Sequence, residues 1–186
     1  MKILLVNNNT VHLKELTDSL AGHEVEIQNY QPGIRFHDED KDLIILSGGG
    51  GEGLEIDDMY LAGHLWYEDQ MEFVKRTSKP VIGICMGFEV IARAFGAPVK
   101  QMPSLLEGFY NFNTTAKGQK MLGLANLEQF EAHRWHVPYV PEDEFEILAE
   151  SESGVEIIKH KWRKIIATQF HPEKGGTLKL PQLLMI

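Results

Sequence analysis

Cysteine is nearly absent from this chain: Cys85 is the single one in 186 residues. That excludes an internal disulfide and zinc sites built on cysteine pairs, and in a reducing compartment it leaves the thiol available for chemistry. Basic charge is also scarce. The chain has 18 Lys and Arg against 27 Asp and Glu, a net charge of −9, whereas nucleic-acid binders need a basic patch to displace counterions. The densest basic stretch, Lys159-His160-Lys161-Trp162-Arg163-Lys164, reads as a solvated hairpin turn. No apolar run approaches a membrane span, and the N-terminus turns polar at Asn7, too soon for a signal peptide. A soluble, cytoplasmic protein is expected. Internal repeats and low-complexity linkers are missing, and neither phosphate-loop signature occurs in a strand–helix context.

What remains is ordinary globular material, 43% hydrophobic and 24% charged, of a length that suits one domain over residues 1–186. Lys2 to Val6 reads as a strand, Asn7-Asn8-Asn9-Thr10 as its stop, and Val11 to Leu20 as a helix with Leu13, Leu16 and Leu20 on one face. Glu24 to Ile27 alternates as a second strand. Asp42 to Leu46 is a third, apolar on both faces as parallel strands between helix layers are. It ends in Ser47 and four glycines, Gly48 to Gly51. A glycine run serves either a flexible loop or a place where backbone approaches a ligand closely at the carboxyl edge of a sheet. Leu54 to Tyr67 reads as an irregular excursion and Tyr67 to Arg76 as a helix.

The stretch Val81-Ile82-Gly83-Ile84-Cys85-Met86-Gly87-Phe88-Glu89-Val90-Ile91-Ala92 reads as a buried strand turning sharply into a helix. Gly83 and Gly87 bracket Cys85 as G-x-C-x-G, the thiol form of the nucleophile elbow. A helix N-terminus directly after the thiol favours its thiolate. Alone, the stretch also accommodates Cys85 as a small buried hydrophobe.

Beyond residue 100 short alternating runs appear at Gly108 to Asn113, Glu128 to His133, Phe145 to Ser151, Val155 to His160 and Ile165 to Phe170. They suit antiparallel strands at a sheet edge. The tail from Leu178 to Ile186 reads as a short helix interrupted by Pro181. The last strand leads into His171-Pro172-Glu173. In an extended segment residues two apart project to one side, so Glu173 can orient the His171 imidazole as base to the thiol. Oxyanion donors would be the Met86 amide and an amide of the Gly48-Gly49-Gly50 loop. His133 and His136, three apart, suggest a metal pair, but no carboxylate at ligand spacing completes it, so no metal site is expected. His12, His23, His37 and His160 carry no signal, and His64 is read as a rim or surface residue.

Three strings, Leu46-Ser47-Gly48-Gly49, Gly83-Ile84-Cys85-Met86-Gly87 and Gln169-Phe170-His171-Pro172-Glu173, resemble those of the class I (triad) glutamine amidotransferases, and the resemblance spans nearly the whole chain. The segment from His133 through Val137 to Val140-Pro141 resembles the family's substrate-holding stretch. The resemblance implies an open, mostly parallel, flavodoxin-like α/β sheet with helices on both faces and an antiparallel edge extension. It implies hydrolysis of glutamine's side-chain amide through a γ-glutamyl thioester, without a cofactor, and ammonia delivered to a separate synthetase partner. Cys85 would be nucleophile, His171 general acid/base and Glu173 its orienting carboxylate. The amides of Gly49 and Met86 would form the oxyanion hole, and Glu89, Ala132 and His133 would contact substrate.

Three positions depart from the family pattern. Gly50 stands for a proline, Glu89 for a glutamine, and Ala132-His133-Arg134-Trp135 for Ser-His-x-Asp. Glu89 keeps open a stand-alone γ-glutamyl peptidase or hydrolase of the same fold. A non-catalytic binding or regulatory domain is the third reading.

Overall fold

The computed structural model describes residues 1–49 and 65–185. The glycines after Gly49, most of the excursion that begins at Leu54, and His64 lie outside the described residues. Strand β1 (Lys2–Asn8) pairs in parallel with β2 (Glu24–Asn29) on one side and β3 (Leu43–Gly49) on the other. Strand β4 (Val81–Ile84) continues the parallel set. Ile3, Leu4, Leu5 and Val6 are all fully buried, because alternate side chains of a central strand serve opposite faces of the sheet. Leu4, Val6, Ile44 and Leu46 enter one core, together with Phe73 and Val74 of helix α2 (Glu68–Arg76) and Phe88 and Ile91 of α3 (Met86–Ala94). Ile3, Leu5 and Ile45 enter the other, with Leu16 of α1 (Leu13–Ser19). Helices therefore cover both faces, as expected.

The carboxyl half is where the architecture departs from the expected, mostly parallel sheet. It contains β5 (Lys100–Thr114), helix α4 (Ala116–Leu122), β6 (Asn126–His136), β7 (Phe145–Ser151), β8 (Gly154–His160) and β9 (Ile165–Thr168). The nine-stranded order is β2-β1-β3-β4-β9-β8-β7-β5-β6. The pairings from β2 to β9 are parallel, and those from β9 to β6 are antiparallel. The sheet is thus mixed, with as many antiparallel pairings as parallel ones, and the antiparallel part is no minor extension. β9 belongs to both halves: it is parallel to β4 and antiparallel to β8. The antiparallel strands read from the alternating runs are present, but they make up half of the pairings.

Two local expectations also change. α4 is an additional helix, started by the Thr115 hydroxyl accepting from the Gly118 amide at 3.1 Å and ended by Gly123 at φ 69°, the usual cap chemistry at each end. Pro181 does not interrupt the closing helix α5 (Leu180–Leu183). It lies in that helix's first turn, where a missing N–H costs nothing.

The β5–β6 ribbon pairs with β7 through Asn113 with Glu150 and Thr114 with Ala149. β6 returns to the parallel half: the Phe130 carbonyl accepts from the His171 amide at 2.8 Å, and Gln129 bridges Gly176. This return brings β6 to the carboxyl edge of β4 and β9.

Candidate active site

The turn after β4 has the geometry of an elbow. Cys85 sits at φ 51°, ψ −104° at the N-cap of α3, a backbone region that costs a non-glycine residue about 1–3 kcal/mol. The surrounding contacts enforce it. A Cβ on Gly83 would stand 2.6 Å from the Gly87 carbonyl oxygen, and one on Gly87 would overlap the Leu46 backbone. Strand and helix therefore approach too closely for any side chain at either flanking position, as the G-x-C-x-G spacing anticipates. Cys85 N donates to the Thr168 carbonyl at 2.8 Å, which ties the elbow to the end of β9.

The segment after β9 brings His171 beside Cys85: both the imidazole Cε1 and the Cys85 Cβ lie against Gly48. On its other side Nδ1 lies 2.8 Å from Glu173 Oε1. The pairing expected from the sequence is present, but its cause differs. Residues Pro172–Lys174 form a short 3-10 turn, and that turn, not an extended segment, folds Glu173 back onto the imidazole. Burial opposes charge on His171, yet its attraction to Cys85 and Glu173 outweighs burial and pushes its pKa up to about 10. The ring is therefore held as imidazolium, ready to hydrogen-bond a thiolate and to protonate a leaving group.

Gly49, at the end of β3, lies against Met86 at the start of α3: a Cβ built on Gly49 would be 3.2 Å from Met86 Cβ. The two expected oxyanion donors are thus neighbours beside Cys85. This edge is braced by Asn8, whose amide donates to Ser47 Oγ at 2.9 Å and whose side-chain oxygen accepts from Gln70 Nε2 at 2.7 Å. Gly50, the third glycine considered, lies outside the described residues.

The expected substrate contacts diverge. The Ala132 carbonyl oxygen lies 3.5 Å from Cys85 Sγ, within reach of the thiol. Glu89, on the first turn of α3, is buried and accepts from Gln169 Nε2 at 3.1 Å. The His133 side chain is fully buried against Glu131, on the inner face of β6. Its neighbourhood corrects the expectation that no carboxylate accompanies it, since Glu131 and Glu156 both approach its ring. Glu131, two residues away on the same face of β6, was visible in the sequence as L-x-Q-x-E-x-H over residues 127–133, a polar inner face where an apolar one is usual. Glu156 arrives from β8 and leaves no local signal.

Sequence reasoning also missed His12. Its ring meets that of His171 edge-on, with centroids 4.8 Å apart, and Phe130 flanks the same imidazole at 6.2 Å. Burial, then the positive charge on His171, lowers the His12 pKa from its ordinary value. Its only signal was topological: the loop after β1 ends at the carboxyl edge of the sheet, where open α/β folds place their sites.

A thiol on a strained strand–helix elbow, paired to an imidazolium that is itself held by a carboxylate, defines a cysteine-dependent amide hydrolase on an α/β fold. The chain matches the family described as "Glutamine amidotransferase class-I" over residues 4–185 and belongs to it. It is 30% identical over 186 residues to one subunit of the glutamine-hydrolysing GMP synthase from Methanobrevibacter smithii, covering 96% of this chain and 92% of the relative. It is 32% identical to the corresponding subunit from Sulfurisphaera tokodaii over 143 residues, 76% of this chain and 72% of that one. Among solved structures, a putative GMP synthase subunit from Thermoplasma acidophilum superposes with a TM-score of 0.77 at 24% identity, covering 98% of this chain and 88% of the other, which is a likeness of fold.

Proposed function

We propose that this chain is the glutamine-hydrolysing subunit of a two-chain GMP synthase, folded as one domain over its length, that delivers ammonia to a separate synthetase subunit. Its size suits the stand-alone amidotransferase subunit of either GMP synthase or anthranilate synthase. The similarity to the Methanobrevibacter GMP synthase subunit over nearly all of both chains favours the first. The observation that carries the chemistry is the meeting of Cys85, His171 and Glu173 from the ends of two adjacent parallel strands.

Cys85 attacks the side-chain amide carbon of glutamine as thiolate. The negative charge that develops on the amide oxygen is received by the amides of Gly49 and Met86. His171 gives its proton to the departing ammonia, and the resulting thioester is hydrolysed when His171, now neutral, takes a proton from water. Glu173 keeps the imidazole oriented throughout. The Ala132 carbonyl lies beside the thiol.

The direct test measures glutamate release from glutamine by the chain alone and with a synthetase subunit, beside Cys85→Ala. The expected result is glutaminase activity that rises with the partner, glutamine-dependent formation of GMP by the pair, and neither in Cys85→Ala. Equal glutamate release by the wild type and Cys85→Ala would refute the reading.

A further inference from the structure

A second cluster lies next to the thiol on β6 and β8. Glu131, His133 and Glu156 are 2%, 0% and 0% exposed, and one donor atom from each lies within 4.8 Å of the others. His133 Nε2 abuts the Glu131 carboxylate and stands 4.0 Å from Glu156 Oε1. These groups are poorly satisfied by protein. The Ser151 hydroxyl donates to Glu156 Oε1 at 2.6 Å. Among the described residues, however, Glu156 Oε2 and His133 Nδ1 have no hydrogen-bond partner, and Glu131 Oε1 meets only the His133 ring. Two buried carboxylates confined together repel each other and are costly unless they take up protons or a cation neutralises them.

We propose that Glu131, His133 and Glu156 form a buried site for one divalent transition-metal ion, of which zinc fits best. One imidazole nitrogen and two carboxylate oxygens are a donor set that zinc accepts, with bonds of about 2.0–2.2 Å. The ion would sit among the three donor atoms, with the Glu131 carboxylate turning away from the His133 ring to admit it. Two positive charges balance two carboxylates. Glu131 and His133 flank Ala132, whose carbonyl faces Cys85 Sγ at 3.5 Å. The ion therefore pins β6 to β8 and fixes that wall of the thiol site; it takes no part in attack on the amide. This inference does not depend on which synthetase the chain serves.

The test must separate this site from zinc capture by the thiol, so it is run on Cys85→Ala protein after dialysis against chelator. Calorimetric titration with zinc chloride should give one ion per chain. The imidazole nitrogen resonances of His133 should move on zinc addition while those of His12 and His171 stay. Adding Glu156→Gln to that background should weaken binding about tenfold or more. Should that variant fail to fold, Glu131→Gln and the His133 resonances in the unaltered cluster answer the same question. Folded Cys85→Ala protein that takes up no zinc, or that binds it without moving the His133 resonances, overturns the proposal and leaves the cluster as a set of hydrogen-bonded neutral acids.

Discussion

A Cβ on Gly48 would stand 2.8 Å from Cε1 of His171 and 3.5 Å from the Cβ of Cys85. The glycine at the end of β3 is thus fixed by the close approach of backbone to the imidazole, and no loop flexibility is needed to explain it. Gly48→Ala should fold, because the displaced atom belongs to a side chain, but it should push His171 off the thiol. A misplacement on the order of 1 Å costs about 100-fold in rate. We expect kcat for glutamine hydrolysis to fall by about that factor with an unchanged circular dichroism spectrum. Retention of kcat would show that His171 tolerates displacement.

The raised pKa of His171 gives a signed pH dependence. A pKa raised in the folded state means that the proton is retained: the ion pair's contribution to stability is full below the ordinary histidine value of 6.5, and it is lost as pH rises through about 10. Activity that needs imidazolium as acid should therefore hold across neutral and mildly alkaline pH and fall only on approach to that value. Glu173 is one of the groups that raise it. In Glu173→Gln the alkaline limb of the kcat profile should move to lower pH, together with a fall in kcat. A limb at the same pH in both proteins would assign that ionisation to another group.

Gly87 sets two effects against each other. Alanine is favoured over glycine in a helix by about 1 kcal/mol, so Gly87→Ala would be stabilising if only propensity counted. A Cβ there would, however, overlap the Leu46 backbone, and forced overpacking costs about 1–3 kcal/mol or more where backbone must yield. Net destabilisation is expected, with thermal unfolding lowered by about 2–4 °C for each kcal/mol lost in a chain of this size. A melting temperature at or above wild type would show that α3 can move off β3.

Much of this architecture was legible because period and punctuation agree. The apolar strands from Lys2 to Ile84, the elbow glycines and the short gap between His171 and Glu173 each specify local geometry through sterics. The antiparallel direction of the strands in the carboxyl half was read from their alternation, but their share of the sheet was not, because alternation does not tell how many strands join the parallel set. The His12–His171 contact and the gathering of Glu131, His133 and Glu156 were hidden for a related reason. The first joins two loops at the carboxyl edge of the parallel strands, far apart in sequence, and the second depends on the β5–β6 ribbon returning to that edge at Phe130; no window of sequence contains either. α4 was written in its caps, Thr115 and Gly123, yet lay between alternating strands that dominate the pattern.

Glu89 offers the sharpest test of selectivity. The carboxylate is buried one turn of α3 beyond Cys85 and accepts from Gln169 Nε2 at 3.1 Å. Beside a bound amino acid it attracts an α-ammonium and repels an α-carboxylate. Glu89→Gln keeps the shape and keeps an oxygen to accept from Gln169, while removing the charge. KM for glutamine should therefore fall, up to about tenfold if the removed repulsion amounts to about 1.4 kcal/mol, with kcat nearly constant because no group on the thiol or imidazole changes. Substrates that lack the α-carboxylate, such as γ-glutamyl analogues decarboxylated at that carbon, should lose affinity in the variant, since only the attraction to their ammonium remains to be lost. An unchanged KM for both would mean that the Glu89 charge is spent on Gln169 and is not felt by the substrate.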